Sequence, residues 1–140
     1  MLNYNQFVLL SAELSGLTAS ENEIRTNQLK LMLTKLGFKP VEMIGRYKGD
    51  QETSFFVPIT RVDDRGLISG NHNSNLLEFI AFEQFNQESI LVQYSDGHSR
   101  LHYPNHVEHI GKVREITKQE AFKRDAYTFY PKLGKYYATV

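Results

Sequence analysis

Apolar positions fall into short blocks of two kinds along this chain. Phe7-Val8-Leu9-Leu10 is a continuous apolar run, the pattern of a strand buried on both faces. Ser11 to Ala19 reads as a loop rich in Ser, Thr and Gly. Ser20-Glu21-Asn22-Glu23 has the form of a capping box, with the Ser20 hydroxyl and the Glu23 carboxylate exchanging bonds at a helix start. Ile24, Leu29, Met32, Leu33 and Leu36 follow at helical spacing, Gly37 stands where a C-terminal cap belongs, and Pro40 lies just beyond. Val41 to Tyr47 and Thr53 to Ile59 read as a second and a third strand, joined through the polar turn Lys48-Gly49-Asp50-Gln51. After a polar loop from Thr60 to Asn73, a second helix fits Ser74 to Asn86, with Leu76, Leu77, Ile80, Ala81 and Phe85 facing inward. Ser89 to Tyr94 and Ser99 to Tyr103 read as strands either side of an Asp96-Gly97 turn. Val107 to Ile116 adds a further strand. From Thr117 onward the pattern predicts a short helix at Lys118 to Asp125, then an aromatic, turn-broken stretch.

Strand, helix, strand, strand, helix, strand is the split β-α-β unit of ferredoxin-like folds. The expected architecture is therefore α+β: an antiparallel sheet with two helices on one face. The other face needs cover from a partner, from the tail or from another subunit. The organisation expected is one domain over residues 1–140, with 117–140 as a C-terminal extension.

Charge narrows the function classes. Lys plus Arg number 16 and Asp plus Glu number 16, a formal net charge of zero, which argues against a phosphate-tracking nucleic-acid binder. Cysteine is absent, which excludes disulfides, thiolate catalysis and Cys-containing metal sites. No apolar run approaches the ~18 residues that span a bilayer, and Met1 to Phe7 lacks the basic and apolar regions of a secretory leader. The expectation is a soluble, cytoplasmic protein with neither a nucleic-acid nor a membrane partner.

Few residues carry obvious chemistry. His98, His102, His106 and His109 cluster in sequence, but Pro104 breaks any helix through them and no His-Glu-x-x-His motif is present. They read as solvated strand histidines, and no metal is expected. Asp63-Asp64 reads as a polar turn, since neighbours on an extended chain point apart. Gly45-Arg46-Tyr47-Lys48-Gly49 lacks the Gly-Lys-Ser/Thr ending of a phosphate loop and precedes a strand rather than a helix. Tyr47 and Glu52 are more informative. With a four-residue turn between them they would face each other across the hairpin on one face, while Arg46 and Lys48 point away. A ring beside a carboxylate suits a positively charged ligand; on spacing alone an ordinary surface cross-strand pair is the favoured reading.

The run Phe7-Val8-Leu9-Leu10-Ser11-Ala12-Glu13 resembles the opening strand of the phage S-adenosylmethionine lyases, formerly called hydrolases, which serve as antirestriction proteins. The helix after it, the Gly45-x-Tyr47 element, the strand led by Glu52-Thr53, and Phe85-Asn86-Gln87-Glu88-Ser89-Ile90-Leu91-Val92 follow in matching order. The likeness spans about residues 5–95. It implies cleavage of S-adenosylmethionine to 5′-methylthioadenosine and L-homoserine lactone, through attack of the substrate's own carboxylate, with no cofactor and no metal. It further implies Tyr47 and Glu52 as catalytic residues and a homo-oligomer, a trimer, in the host cytoplasm. The main alternative is a non-catalytic ferredoxin-like module that binds a small ligand or a host protein. An RNA-binding sheet fits less well, because its aromatic stacking motif is missing from the strands.

Overall fold

The computed structural model describes residues 6–47, 50–59, 70–94 and 96–140. Among these residues nine strands and three α-helices follow one another: β1 (Phe7–Ser11), α1 (Ala19–Lys35), β2 (Val41–Tyr47), β3 (Asp50–Pro58), α2 (Gly70–Phe79), β4 (Ile90–Gln93), β5 (Ser99–His102), β6 (Val107–Gly111), β7 (Val113–Ile116), α3 (Lys118–Phe122), β8 (Ala126–Tyr130) and β9 (Lys135–Thr139). Asp63-Asp64, Lys48 and Gly49 lie outside the described residues.

Helix α1 begins earlier than the Ser20 pattern predicts. Thr18 is the N-cap: its hydroxyl accepts from the Glu21 amide at 3.2 Å, and the Glu21 carboxylate accepts the Thr18 amide at 3.1 Å. Thr18-x-x-Glu21 is itself a capping box, and it leaves Asn22 free for another task described below. Gly37 adopts φ +90° just past the helix, as a left-handed terminator should. Of the helix's apolar residues Leu29 and Leu33 are buried, whereas Ile24 and Leu36 are exposed.

The ferredoxin-like sandwich expected from the sequence is not the fold. The strands form one nine-stranded sheet in the order β6-β5-β4-β1-β3-β2-β8-β9-β7, and every described pairing is antiparallel. The predicted alternation supplies only its centre, β4-β1-β3-β2. The sheet continues on both sides of that centre and curls until its edges meet. Strands β6 and β7 lie at opposite ends of the order, yet Lys112 alone separates them in sequence. At that corner Lys112 and Val140 exchange backbone hydrogen bonds of 3.0 and 2.7 Å, which carry the β7–β9 ladder one pair further. The result is a nearly closed barrel. The single strand predicted over Val107 to Ile116 is thus two strands, broken at Gly111, whose φ of +92° turns the chain.

Alternation along the central strands divides the apolar residues into two cores. Val8, Leu10, Phe55, Val57, Ile59, Ile90 and Val92 face outward, where Leu29 and Leu33 of α1 and Leu77 of α2 cover them. Phe7, Met43 and Phe56 face inward and meet Tyr137, with Leu9, Val41, Leu91, Val113 and Tyr130 packed around them. The inner face that the sequence left in need of a cover is covered by the sheet's own curl. Residues 117–140 supply α3, β8 and β9, and β8 joins the centre by pairing with β2.

Helix α2 runs into a π-helical turn, Ile80–Gln84. The Phe85 amide reaches back to the Ile80 carbonyl at 3.1 Å, and Asn86 takes φ +52°. The wide turn adds a residue to the helical path and turns the segment before β4 toward β1.

Candidate active site

The inner core plugs one end of the barrel, and the other end opens as a cavity of about 870 Å³, within the size range of small-molecule sites. Leu9, Met43, Phe56 and Tyr137 line its depth; Ser11, Ser54, Thr128 and Thr139 add hydroxyls. The strand ends at this mouth contribute charge. Among the described charged residues lining it, Glu13, Asp50, Glu52 and Glu88 are acidic and Arg46 is the one base, with its guanidinium donating to Gln51 at 3.0 Å. A chain of zero formal charge therefore concentrates negative charge at one opening, an arrangement that attracts cations. A second groove of about 690 Å³ runs between α1 and α2, but its lining is largely apolar and includes no acidic residue.

The hairpin register differs from the expected one. Tyr47 pairs with Asp50 and Glu52 pairs with Gly45, because the loop is two residues rather than four. Tyr47 and Glu52 are therefore not directly opposed; register position 47 is diagonal to Glu52. The Tyr47 side chain lies outside what the structure describes. Glu52 shares the inward face with Ser54 and Phe56, two and four residues along β3.

Next to Glu52 the β1–β3 ladder ends at the pair Ser11 and Ser54. One residue on, side chains satisfy the Thr53 backbone. The Ser11 hydroxyl donates to the Thr53 carbonyl at 2.8 Å, and the Thr53 amide donates to the Glu13 carboxylate at 2.6 Å. Crowding by protein raises the Glu52 carboxyl above its ordinary value, and the negative charge of Glu13 raises it further; the Ser11 hydroxyl pulls the other way. Glu52 still meets solvent at the mouth.

The loop after β1 is held from three directions. Asn22 accepts the Leu14 amide at 2.9 Å and donates to the Leu14 carbonyl at 3.0 Å. Arg25 donates to the Ala12 carbonyl at 2.6 Å and to the Phe85 carbonyl, and its guanidinium lies 5.5 Å from the Phe85 ring centroid. Gln87, delivered by the π turn, donates to the Glu13 carbonyl at 3.0 Å. Sequence reading missed Ser11, Glu13, Asn22 and Gln87 as site residues. Ser11-x-Glu13 directly after a buried strand was the available signal, since polar side chains at a strand's end face whatever that end opens onto.

His98, His102, His106 and His109 do not line this opening. His102 hydrogen-bonds the Tyr94 hydroxyl at 2.7 Å and the Glu78 carboxylate, on the outward face of β5. His106 stacks on Tyr103 with ring centroids 4.2 Å apart, and His98 lies 3.6 Å from Asp96. Among the described residues no group of three or more His, Cys, Asp and Glu is placed to hold a metal ion. Nor is any described helix long and apolar enough to cross a membrane.

No curated protein matches the chain. The family comparison, by contrast, matches from the second residue of β1 through β9, so the likeness includes the last strands and not the first two thirds alone. Over residues 8–140 the sequence fits the S-adenosylmethionine lyase family, and the chain belongs to that family.

Proposed function

We propose that the barrel mouth binds S-adenosylmethionine and cleaves it to 5′-methylthioadenosine and L-homoserine lactone. The observation that carries this reading is the acidic opening over an apolar floor, with Glu52 on its wall. The substrate carries a sulfonium, an α-ammonium and a carboxylate. Glu52 binds the ammonium, and the neighbouring acids disfavour the substrate carboxylate at the wall. The methionine arm therefore curls, bringing that carboxylate toward its own γ-carbon. The oxygen–γ-carbon bond forms as the sulfur–γ-carbon bond breaks, and the bonding pair leaves with sulfur as a neutral thioether.

Sulfonium and carboxylate neutralise each other along this path, so transfer from water to a cavity floored by Met43, Phe56 and Leu9 favours the transition state over the ground state. Holding the arm curled adds proximity. The substrate supplies both nucleophile and leaving group, so the step draws on no protein nucleophile, cofactor or metal. Tyr47 is assigned to the sulfonium region on the family resemblance, and the hairpin register keeps that position next to Glu52's pair. Removal of the methyl donor of restriction–modification systems, the antirestriction role, belongs to the same proposal.

The test is incubation of the pure protein with S-adenosylmethionine in isotopically labelled water, quenched before the lactone opens. Unlabelled homoserine lactone alongside methylthioadenosine is the expected result. Label in the first-formed amino-acid product would overturn the intramolecular step, and an unchanged substrate would overturn the activity.

A further inference from the structure

Glu13 is anchored at all three of its polar ends. Its amide donates to the Ser11 hydroxyl at 3.1 Å, its carbonyl accepts from Gln87 at 3.0 Å, and its carboxylate accepts from the Thr53 amide at 2.6 Å. These bonds tie β1, the segment before β4, and β3 to one residue at the cavity mouth. The loop that presents it is pinned on either side, at Ala12 by Arg25 and at Leu14 by Asn22. A long acidic side chain normally loses rotamer freedom when it is ordered; here the loss is taken during folding, before any ligand arrives. Thr53 follows Glu52 directly in β3, so the bond that fixes Glu13 also fixes the backbone beside Glu52.

We propose that Glu13 is a positioning residue for ligand binding: it acts through Glu52, fixing the strand beside that carboxylate and setting a second negative charge behind it, so that the mouth selects a ligand with a cationic ammonium. This rests on the reading of the cavity as an S-adenosylmethionine site. Two acids held close repel each other in the empty protein, and that repulsion adds to the upward push that burial already exerts on Glu52. A ligand ammonium relieves it. The ammonium-bearing substrate thereby gains affinity that methylthioadenosine, which lacks the amino-acid arm, does not.

Three proteins separate charge from scaffolding: wild type, Glu13→Gln and Glu13→Ala. Gln keeps an acceptor for the Thr53 amide and removes only the charge. Glu13→Gln is expected to melt with the wild type, to raise KM for S-adenosylmethionine about tenfold with little change in kcat, and to leave inhibition by methylthioadenosine unchanged. Glu13→Ala is expected to lose stability as well and to weaken both ligands. The Glu52 titration midpoint, followed by carboxyl NMR in the ligand-free protein, is expected to fall in Glu13→Gln. Equal weakening of both ligands by Glu13→Gln would make Glu13 merely structural and overturn the proposal, as would an unmoved Glu52 midpoint. If the wild type leaves S-adenosylmethionine intact while the Glu52 midpoint still falls, the lyase reading is lost and the coupled acid pair stands.

Discussion

Glu52 lies opposite Gly45 in the β2–β3 ladder, so the carboxylate at the cavity mouth faces a position with no side chain. A Cβ built on Gly45 would meet the Glu52 carbonyl oxygen at 3.6 Å, an ordinary contact, and Gly45 has no left-handed φ. The backbone therefore tolerates alanine here, and what glycine preserves is the space beside the carboxylate. Gly45→Ala should be neutral or stabilising by about 0.4–1 kcal/mol with activity retained, whereas Gly45→Leu should fold and lose substrate affinity. Parallel urea unfolding and KM measurements check both. A fully active Gly45→Leu enzyme would move the site away from this wall.

Glu52→Gln removes the carboxylate without changing its shape. Turnover efficiency should fall by about a hundredfold or more, the range seen when one member of a desolvated charge pair is truncated. Wild-type kcat/KM in the folded variant would remove Glu52 from the chemistry.

The same substitution should behave oppositely in stability. The Glu52 carboxyl is raised above its ordinary value of 4.5 in the folded protein, so between that value and the raised one the folded state holds more protons than the unfolded state. Stability from this group is then full at low pH and falls as pH climbs through the raised value. Glu52→Gln should melt above the wild type at neutral pH, and the gap should close toward pH 4. A gap that widens on acidification would reverse the sign. Substrate KM should rise as pH falls through the raised value, as the carboxylate proposed to hold the ammonium becomes protonated.

Gly111 marks the corner where the barrel closes. At φ +92° it has the Val140 carbonyl oxygen only 2.6 Å from where a Cβ would stand. Gly111→Ala combines an unfavourable backbone conformation with a clash against backbone, and should cost at least about 2 kcal/mol. Chemical denaturation measures it, and a variant as stable as the wild type would show that this corner does not hold the sheet closed.

Arg25 joins the Ala12 and Phe85 carbonyls across two loops. Arg25→Ala should destabilise by about 1.5–3 kcal/mol, the usual range for hydrogen bonds from a charged donor, and should raise KM through the loosened Glu13 loop. Loss of stability with unchanged KM would separate the loop from the site.

Local patterns made the central elements readable. Val41 to Tyr47 falls on β2 as observed, and Leu77, Ile80, Ala81 and Phe85 do face the core, because strand and helix periods are written in neighbouring residues. The curl was not readable. It depends on β8 pairing with β2 and on Lys112 meeting Val140, contacts between segments far apart in sequence that leave no periodic mark. The aromatic stretch at Tyr127, Phe129, Tyr130, Tyr136 and Tyr137 reads as turn-broken because its glycine and proline punctuate a tight hairpin rather than a loop. The hairpin of the candidate site was legible for a similar reason, and the residues around it were not. Positions 47 and 52 share a hairpin, so a turn two residues shorter than expected moves the partner of position 47 from Glu52 to Asp50 but keeps 47 and 52 on one face of the sheet. Glu13 and Gln87 reach the same mouth from 74 residues apart, and only the folded chain brings them together.

The Lys112–Val140 corner also dates the appearance of the cavity. Strand β9 follows every other strand in the chain, and its ladder is the one that ends at Lys112. During synthesis β1 to β4 and their helices can pair as they emerge, but the lumen lacks Tyr137 and Thr139 until residues beyond 135 leave the ribosome. The β2–β8 ladder, which joins segments far apart in the chain, is the slow one to form. A chain that has not yet paired β9 therefore lacks the Tyr137 side of the inner core, and the cavity gains its full lining only when β9 joins the sheet.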